Sequence, residues 1–161
     1  MTKRSADGLG TQLRRLLELL DGDLEAIYRE DHPFYSPRFT PVMKALASGE
    51  SLTIKEIAER SSVSHSAASQ TISKLVKLGL VRLVAGDDKR SRLVSLTRDG
   101  EGLLPWLNSR WAATQQAANS LEEELGHSLA SLLGEAISAL EDRSFADRIR
   151  EAEHGNRGES D

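Results

Sequence analysis

Apolar side chains recur every three or four residues from Leu9 to Tyr28, and this spacing places them on one face of a helix. The next segment, "DHPFYSP", contains two prolines, which disfavour helical geometry in the residues before them. The pattern therefore predicts an N-terminal helix over residues 9–31. Its apolar face is almost purely leucine and is broader than one small core needs.

Short helical patterns and a pair of strands follow in the middle of the chain. Thr53 and Glu56 form a capping box that opens a short helix ending near Arg60. A three-residue turn leads to Ser64, which caps a second helix, and Gly79 is placed to end that helix. "LVRLVAG" and "SRLVSLT" then have the composition of two strands joined by a loop, which predicts a β-hairpin.

The last third of the chain has a helical pattern in which leucine again dominates. Thr97 is a candidate cap for the first of these helices. Ser120 and Glu123 match a second capping box, so we expect another helix to begin there. We expect linking and C-terminal helices over residues 99–153 and a polar, disordered tail over residues 154–161.

The helix that begins after Ser64 has two unlike faces. Ala68, Ile72 and Leu75, together with Val76, share an apolar side. A solvated helix face usually carries Glu, Lys and Arg, which favour helix formation and solubility. Here the opposite side carries mainly short groups that form hydrogen bonds, namely Ser66, Ser69, Gln70, Ser73 and Lys77. This row indicates a surface that lies against something other than water.

The formal net charge of −4 is unevenly distributed. Residues 61–98 hold seven basic and two acidic side chains, a net charge of +5, whereas residues 99–161 have a net charge of −8. A basic segment in an otherwise acidic chain is typical of a phosphate-binding surface. Chance clustering within so short a segment is the alternative.

The composition argues against several classes of function. The chain has no cysteine, which excludes disulfides, thiol nucleophiles and cysteine-based metal sites. Its four histidines are scattered, and it has no nucleophile or phosphate-loop motif, so we expect no enzymatic activity, catalytic residue, metal or cofactor. No apolar run reaches the roughly 20 residues of a membrane span, and the N-terminus is not a secretory signal, so we expect a cytoplasmic protein.

The predicted elements follow the order of a winged helix-turn-helix: helix, short helix, three-residue turn, helix and hairpin. In this architecture the second helix of the motif enters the major groove of DNA, and the hairpin, called the wing, lies on the neighbouring backbone. Short side chains let that helix approach a groove about 12 Å wide. The expected fold is mainly α, with a three-helix core and a wing over residues 40–98 of a single domain spanning 1–161.

Two stretches carry a resemblance to a known family, "LTIKEIAERSSVSHSAASQTISKLVKLGLVRL" and "DDKRSRLVSLTRDG". The second contains the family's wing signature, DxRxxxxxLTxxG, over residues 88–100. Over about residues 9–142 the chain resembles the MarR-type transcription regulators. The resemblance implies a homodimer held by its N- and C-terminal helices, with two wings on successive half-sites of a pseudo-palindromic double-stranded DNA operator. The implied function is a sequence-specific transcription regulator, a repressor released by a small-molecule effector.

The residues expected at DNA lie on the second helix of the motif and on the wing. Arg90 is expected in a minor groove or on phosphate, oriented by Asp88, and a purely structural Asp–Arg contact is the alternative. The chain departs from the family pattern in having Ser62 where the turn commonly has glycine and in lacking an arginine on the recognition helix. Gln70 can pair with adenine and serine with any base, so an arginine contact to guanine would have to come from the wing. The expected DNA-binding residues are Ser64, His65, Ser66, Ser69, Gln70, Ser73, Lys74, Lys77, Asp88, Lys89, Arg90 and Arg92.

The segment "EDHPFYSPRF" concentrates aromatic side chains in a loop broken by proline. In MarR-like proteins the crevice between the dimerisation helices and the winged domain often binds a small, frequently anionic aromatic effector, and the resemblance implies that this segment borders such a crevice. Arg38 would meet a carboxylate, and the rings would stack on the ligand. Aromatic side chains that plug the junction between helices are the alternative. The expected effector-binding residues are His32, Phe34, Tyr35, Arg38 and Phe39.

Two other functions compete with DNA-binding regulation. A winged-helix module could bind another protein through the same polar face, without specific DNA binding. More distantly, an enzyme could use the aromatic crevice. DNA binding that weakens steeply with salt would distinguish the regulator from both.

Overall fold

The computed structural model describes residues 8–86 and 92–158, and the side chains among them as far as His154. The chain divides into two compact units, Met1–Pro105 and Trp106–Asp161. The described elements, in chain order, are α1 (Leu9–Asp31), a 3₁₀ turn (Pro37–Phe39), α2 (Thr40–Leu46), β1 (Leu52–Thr53), α3 (Ile54–Arg60), α4 (His65–Lys77), β2 (Val81–Ala85), β3 (Arg92–Leu96), α5 (Arg98–Leu125), α6 (Leu129–Asp142) and α7 (Phe145–Gly158). None of the described helices is both long and apolar enough to cross a membrane.

The core of the first unit forms where α2, α3 and α4 pack together under the sheet. These helices bury the apolar positions that recur at helical spacing, because burial removes them from water. Three aromatic rings extend this core toward the end of α1. The buried residues of the unit are Tyr28, Tyr35, Phe39, Val42, Met43, Leu46, Leu52, Ile57, Ala58, Ala68, Ile72, Leu75, Leu80, Val81, Val94, Leu96 and Leu103.

The wing is one part of a three-stranded antiparallel sheet with the order β1-β3-β2. β2 and β3 form the predicted hairpin, in which Val81 lies opposite Leu96 and Ala85 opposite Arg92. The third strand, β1, was not predicted, and it pairs Leu52 with Val94. This strand has two residues, so it has too few positions to show an alternating pattern in sequence.

The turn between α3 and α4 is a Schellman motif, the arrangement in which two amides satisfy the last carbonyls of a helix. The amide of Val63 donates to the carbonyl of Ala58 at 3.1 Å, and the amide of Ser62 donates to that of Glu59 at 3.3 Å. Ser62 has a φ of +52°, in the left-handed region that favours glycine. The hydroxyl of Ser61 donates to the carbonyl of Pro41 at 3.0 Å, which joins the turn to α2.

Long exposed helices make up the second unit. α5 continues from the first unit as far as Leu125, and α6 has no buried residue. Ser128 caps α6 by accepting from the amide of Ser131, and Ser144 caps α7 in the same way. Exposed apolar side chains of this unit are Leu125, Leu132, Leu133, Ile137, Leu140, Phe145 and Ile149.

Two boundaries predicted for the C-terminal region are wrong. Ser120 does not start a helix, because α5 passes through it without a break and ends only before Gly126, whose φ is +70°. The tail predicted as disordered from residue 154 is in part helical, since α7 continues to Gly158. Residues 159–161 lie outside the described residues.

Candidate nucleic-acid interface

α4 is terminated at both ends by local hydrogen bonds. The side chain of Ser64 accepts from the amide of Ala67 at 3.2 Å, which satisfies one of the free amides of the first turn. At the other end, the amides of Gly79 and Leu80 each donate at 3.0 Å to carbonyls of the last turn. Gly79 has a φ of +72°, so the predicted glycine end of the helix is confirmed.

The two faces predicted for α4 are present. Ala68, Ile72 and Leu75 are buried, whereas Val76 is an exception to the predicted apolar side because it is 38% exposed. The hydroxyl of Ser73 donates to the carbonyl of Ser69 at 2.9 Å, so it is partly engaged within the helix. Ser69 is half-buried, and the other predicted side chains of this surface are exposed, namely Ser64, His65, Ser66, Gln70, Ser73, Lys74 and Lys77. We call these eight residues the α4 polar face.

The predicted wing residues lie only partly within the described part of the chain. Arg92 is exposed at the start of β3, and Arg82 is exposed on β2, opposite Ser95. Asp88, Lys89 and Arg90 lie outside the described residues. Of the predicted wing set, the structure therefore places one residue, Arg92, at the described edge of the hairpin.

Two carboxylates are held in local hydrogen bonds by Thr53 and Arg60, at the two ends of α3, the helix that packs against α4. The carboxylate of Glu56 accepts from the amide of Thr53 at 2.7 Å and from its hydroxyl at 2.8 Å, and these bonds lower the pKa of Glu56. The guanidinium of Arg60 donates to Glu50 at 2.8 Å, and it lowers the pKa of that carboxyl. α4 itself carries two cations and no acidic residue. The α4 polar face is therefore neutral to basic, which suits an anionic partner.

Tyr35 and Phe39, two of the five residues predicted to bind an effector, belong to the core. The ring of Tyr35 stacks on Tyr28 with a centroid distance of 5.6 Å and meets Phe39 edge-on at the same distance. Burial raises the pKa of the Tyr35 hydroxyl, which lies 3.5 Å from the hydroxyl of Thr40. These two rings follow the alternative interpretation, in which aromatic side chains plug the junction between helices.

An open cleft of about 560 Å³ lies beside this aromatic cluster. His32 and Phe34, whose rings meet edge-on at 5.4 Å, line one part of it. Arg38, although exposed, does not line it. The other lining residues come from the segment after α4 and the start of α5 and were not predicted, namely Leu78, Leu80, Arg98, Asp99, Gly102 and Leu103. We call this space the α4–α5 cleft.

The described residues contain no group of three or more histidine, aspartate or glutamate side chains that could hold a metal ion. The chemistry available at the α4 polar face is hydrogen bonding by hydroxyl, amide and imidazole groups, with two ammonium groups in the last turn. This combination can contact base edges and phosphates.

The middle of the chain matches a known family. The model of the MarR family matches residues 40–91, which span α2, α3, α4 and the start of the wing. Residues 40–91 therefore resemble the winged helix-turn-helix of the MarR family. No curated protein matches the chain.

Solved structures extend this MarR likeness to the fold of most of the chain. NMB1585, a MarR family regulator from Neisseria meningitidis, has a TM-score of 0.53 and 25% identity, covering 92% of this chain and 95% of that one. The PcaV transcriptional regulator from Streptomyces coelicolor, solved with its natural ligand, has a TM-score of 0.59 and 23% identity, covering 89% and 99%. NadR in complex with 4-hydroxyphenylacetate has a TM-score of 0.55 and 20% identity, covering 87% and 96%. The chain therefore has the MarR fold.

Proposed function

We propose that this MarR-like chain is a sequence-specific, double-stranded-DNA-binding transcription regulator that acts as a repressor. The observation that carries the proposal is the α4 polar face. Its side chains are mostly short, mostly exposed and free of carboxylates, and the opposite side of the helix is buried in the core. Such a helix can enter a major groove without repelling phosphate.

Within this proposal, the α4 polar face and the wing have different roles. Gln70 and the serines of α4 contact base edges, while Lys74 and Lys77 in its last turn contact phosphates. Arg92, together with the wing residues Lys89 and Arg90, contacts the neighbouring backbone or minor groove, and Asp88 orients Arg90. The absence of arginine from α4 makes adenine a better candidate than guanine for recognition by this helix.

The active form in this proposal is a homodimer on a pseudo-palindromic operator. Exposed apolar side chains on α1 support it, among them Leu17 and Leu20, and so do those of α6, such as Leu132 and Ile137. Two helices with so many exposed leucines need a partner, because a soluble monomer rarely exposes contiguous apolar surface of this kind. A twofold dimer would present two α4 helices to successive half-sites.

We further propose that a small aromatic or anionic effector binds in the α4–α5 cleft. His32 and Phe34 offer an imidazole and a ring, and Arg98 offers a cation, so the lining suits an aromatic carboxylate. The ligand of NadR, 4-hydroxyphenylacetate, belongs to that chemical class. Binding would release the operator if the ligand prefers a dimer whose two α4 helices have the wrong spacing.

The rival is a winged-helix module that binds protein through the same face. A triple substitution separates the two functions: Ser69→Glu, Gln70→Glu and Ser73→Glu on α4. Selection of duplexes from a random pool by the wild-type protein, followed by fluorescence anisotropy at two salt concentrations, provides the readout.

We expect the wild type to bind its selected duplex with an affinity that falls steeply with salt, and we expect the triple variant to lose that binding while remaining folded. Asn108→Glu, Ser109→Glu and Gln116→Glu, at exposed positions of α5, form the control, because they change the net charge by the same amount. Failure of the wild type to select any duplex would favour the protein-binding module.

A further inference from the structure

The end of α4 and the start of α5 meet at a junction organised by one side chain, Thr97. Its hydroxyl donates to the carbonyl of Gly79 at 2.6 Å and accepts from the amide of Gly100 at 3.1 Å. Its own amide donates to the carbonyl of Leu80 at 3.0 Å. We call Gly79, Leu80, Thr97 and Gly100 the Thr97 junction.

Thr97 therefore does more than cap α5. A capping hydroxyl needs only to accept from an amide of its own helix, as Thr97 does from Gly100. The additional bond to Gly79 spans 18 residues of sequence and reaches the residue that ends α4. It uses the hydroxyl hydrogen, which capping leaves free.

The two segments of the Thr97 junction are in close contact. A Cβ atom placed on Gly100 would lie 2.1 Å from the carbonyl oxygen of Leu80, so the first turn of α5 touches the backbone directly after α4. Only glycine allows so close an approach. The contact holds the hydroxyl of Thr97 within bonding distance of Gly79.

We propose that Thr97 is a positioning residue for DNA recognition. Its bond to Gly79 fixes the orientation of α4 relative to the rest of the core. This inference rests on the proposed function, because it assigns to Thr97 a role in aiming the α4 polar face. The 13 residues of α4 span about 20 Å, and contacts to a ligand tolerate displacements of only about 0.5 Å. A small shift at the end of the helix therefore displaces Lys74 and Lys77 from their phosphates and tilts the residues that face the bases.

The Thr97 junction adjoins the α4–α5 cleft through Leu80, which lines it. Leu78 and Leu80, which flank Gly79 in sequence, line the cleft together with Arg98 and Asp99, which follow Thr97. An occupant of the cleft would contact both elements that the bond joins. The Thr97–Gly79 bond thus joins two segments that both line the cleft.

Three substitutions distinguish the role of Thr97 in orienting α4 from its role as the N-cap of α5. Thr97→Val keeps the shape and removes both hydroxyl bonds. Thr97→Asp keeps the cap, since aspartate is among the best N-cap residues, but a carboxylate cannot donate to the carbonyl of Gly79. Thr97→Ser keeps both bonds and serves as the matched control.

The experiment measures the affinity of each variant for the duplex that the wild type selects from a random pool and for a scrambled duplex of equal length and composition. We expect Thr97→Val and Thr97→Asp to lose roughly three- to tenfold in the ratio of selected to scrambled affinity, the scale of one hydrogen bond. For the selected duplex, the slope of log affinity against log salt concentration should differ from the wild-type slope by less than the change expected for one phosphate contact. Thr97→Ser should retain the ratio.

Several results would overturn the inference. One is an unchanged ratio in Thr97→Asp, because this variant keeps the cap and isolates the bond to Gly79. A second is an equal loss on both duplexes, which indicates a general loss of folded protein, and urea unfolding of each variant identifies that case. A third is a Thr97→Ser variant as impaired as Thr97→Val. If the wild type selects no duplex at all, the proposed function fails and this inference fails with it.

Discussion

The amide of Ser62 donates to the carbonyl of Glu59 at 3.3 Å, and this bond requires Ser62 to take a φ of +52°. The bond ends α3 and lets the chain turn toward α4, so a left-handed residue stands between the two helices of the motif. Among the described residues other than glycine, Ser62 is alone in having a positive φ. A serine there carries a steric cost that glycine avoids, on the order of 1 kcal/mol.

Replacing Ser62 with glycine should therefore stabilise the protein. We expect Ser62→Gly to raise the free energy of unfolding by about 0.5–1 kcal/mol, with the relief of strain partly offset by the greater freedom of glycine in the unfolded chain. Urea denaturation followed by circular dichroism measures this difference. Ser62→Val should act in the opposite direction, because a β-branched residue fits this region worst. Equal stabilities for the three proteins would show that the turn is not strained.

Features that depend on hydrogen bonds within one turn were predicted from sequence. The capping box of Thr53 and Glu56, the cap at Ser64 and the glycine after α4 are all confirmed, because each needs residue types at a spacing of three or four. The same rule failed at Ser120. α5 continues through Ser120 because no helix-breaking residue follows before Gly126. The capping-box residues Ser120 and Glu123 do not start a new helix when they lie inside an existing one.

Features that depend on distant parts of the chain were not predictable. β1 exists because Leu52 lies opposite Val94, a pairing that leaves no local pattern. The α4–α5 cleft likewise combines residues from three separate segments. Within the aromatic loop, Tyr35 is buried and Phe34 is exposed, yet both sit in a non-helical stretch where periodicity does not distinguish inside from outside.

A pair of glycines two residues apart in α5 tests the close approach at the Thr97 junction. Gly100→Ala would place a methyl group 2.1 Å from the backbone oxygen of Leu80, so we expect it to destabilise the protein by about 1–3 kcal/mol. Gly102→Ala meets nothing within 4 Å and should stabilise the helix by up to about 1 kcal/mol. Urea unfolding of both variants gives the comparison. A Gly100→Ala protein as stable as the wild type would mean that α5 does not touch the end of α4.

The capping box of α3 predicts a pH dependence of stability. Hydrogen bonds from the amide and hydroxyl of Thr53 lower the pKa of Glu56 below its ordinary value of 4.5. A carboxyl whose pKa is lower in the folded state contributes stability that is complete above pH 4.5 and is lost as the pH falls through the folded-state pKa. Glu56→Gln should therefore be less stable than the wild type at pH 7, and the difference should shrink as the pH falls below 4.5.

The measurement is urea unfolding of the wild type and Glu56→Gln at several pH values, repeated in a Thr53→Ala background. Removing the hydroxyl of Thr53 removes one of the bonds to Glu56, so the pH-dependent difference should become smaller there. A difference that does not change with pH would show that the carboxylate contributes through shape and not through charge.

In the proposed dimer, the exposed apolar side chains of α6 lie at the subunit interface. Replacing one of them with a charged residue should therefore weaken the dimer. Ile137 is 58% exposed, and a dimer interface would bury it. An aspartate buried there without a partner would be costly, so we expect Ile137→Asp to raise the dimer dissociation constant by roughly a hundredfold or more, which is about 2.7 kcal/mol. Analytical ultracentrifugation over a range of concentrations measures the constant. Ser138→Asp, at the exposed neighbouring position, adds the same charge outside the apolar face of α6. It should leave the dimer nearly intact. If both variants sediment like the wild type at every concentration, the leucines of α6 do not form the subunit interface.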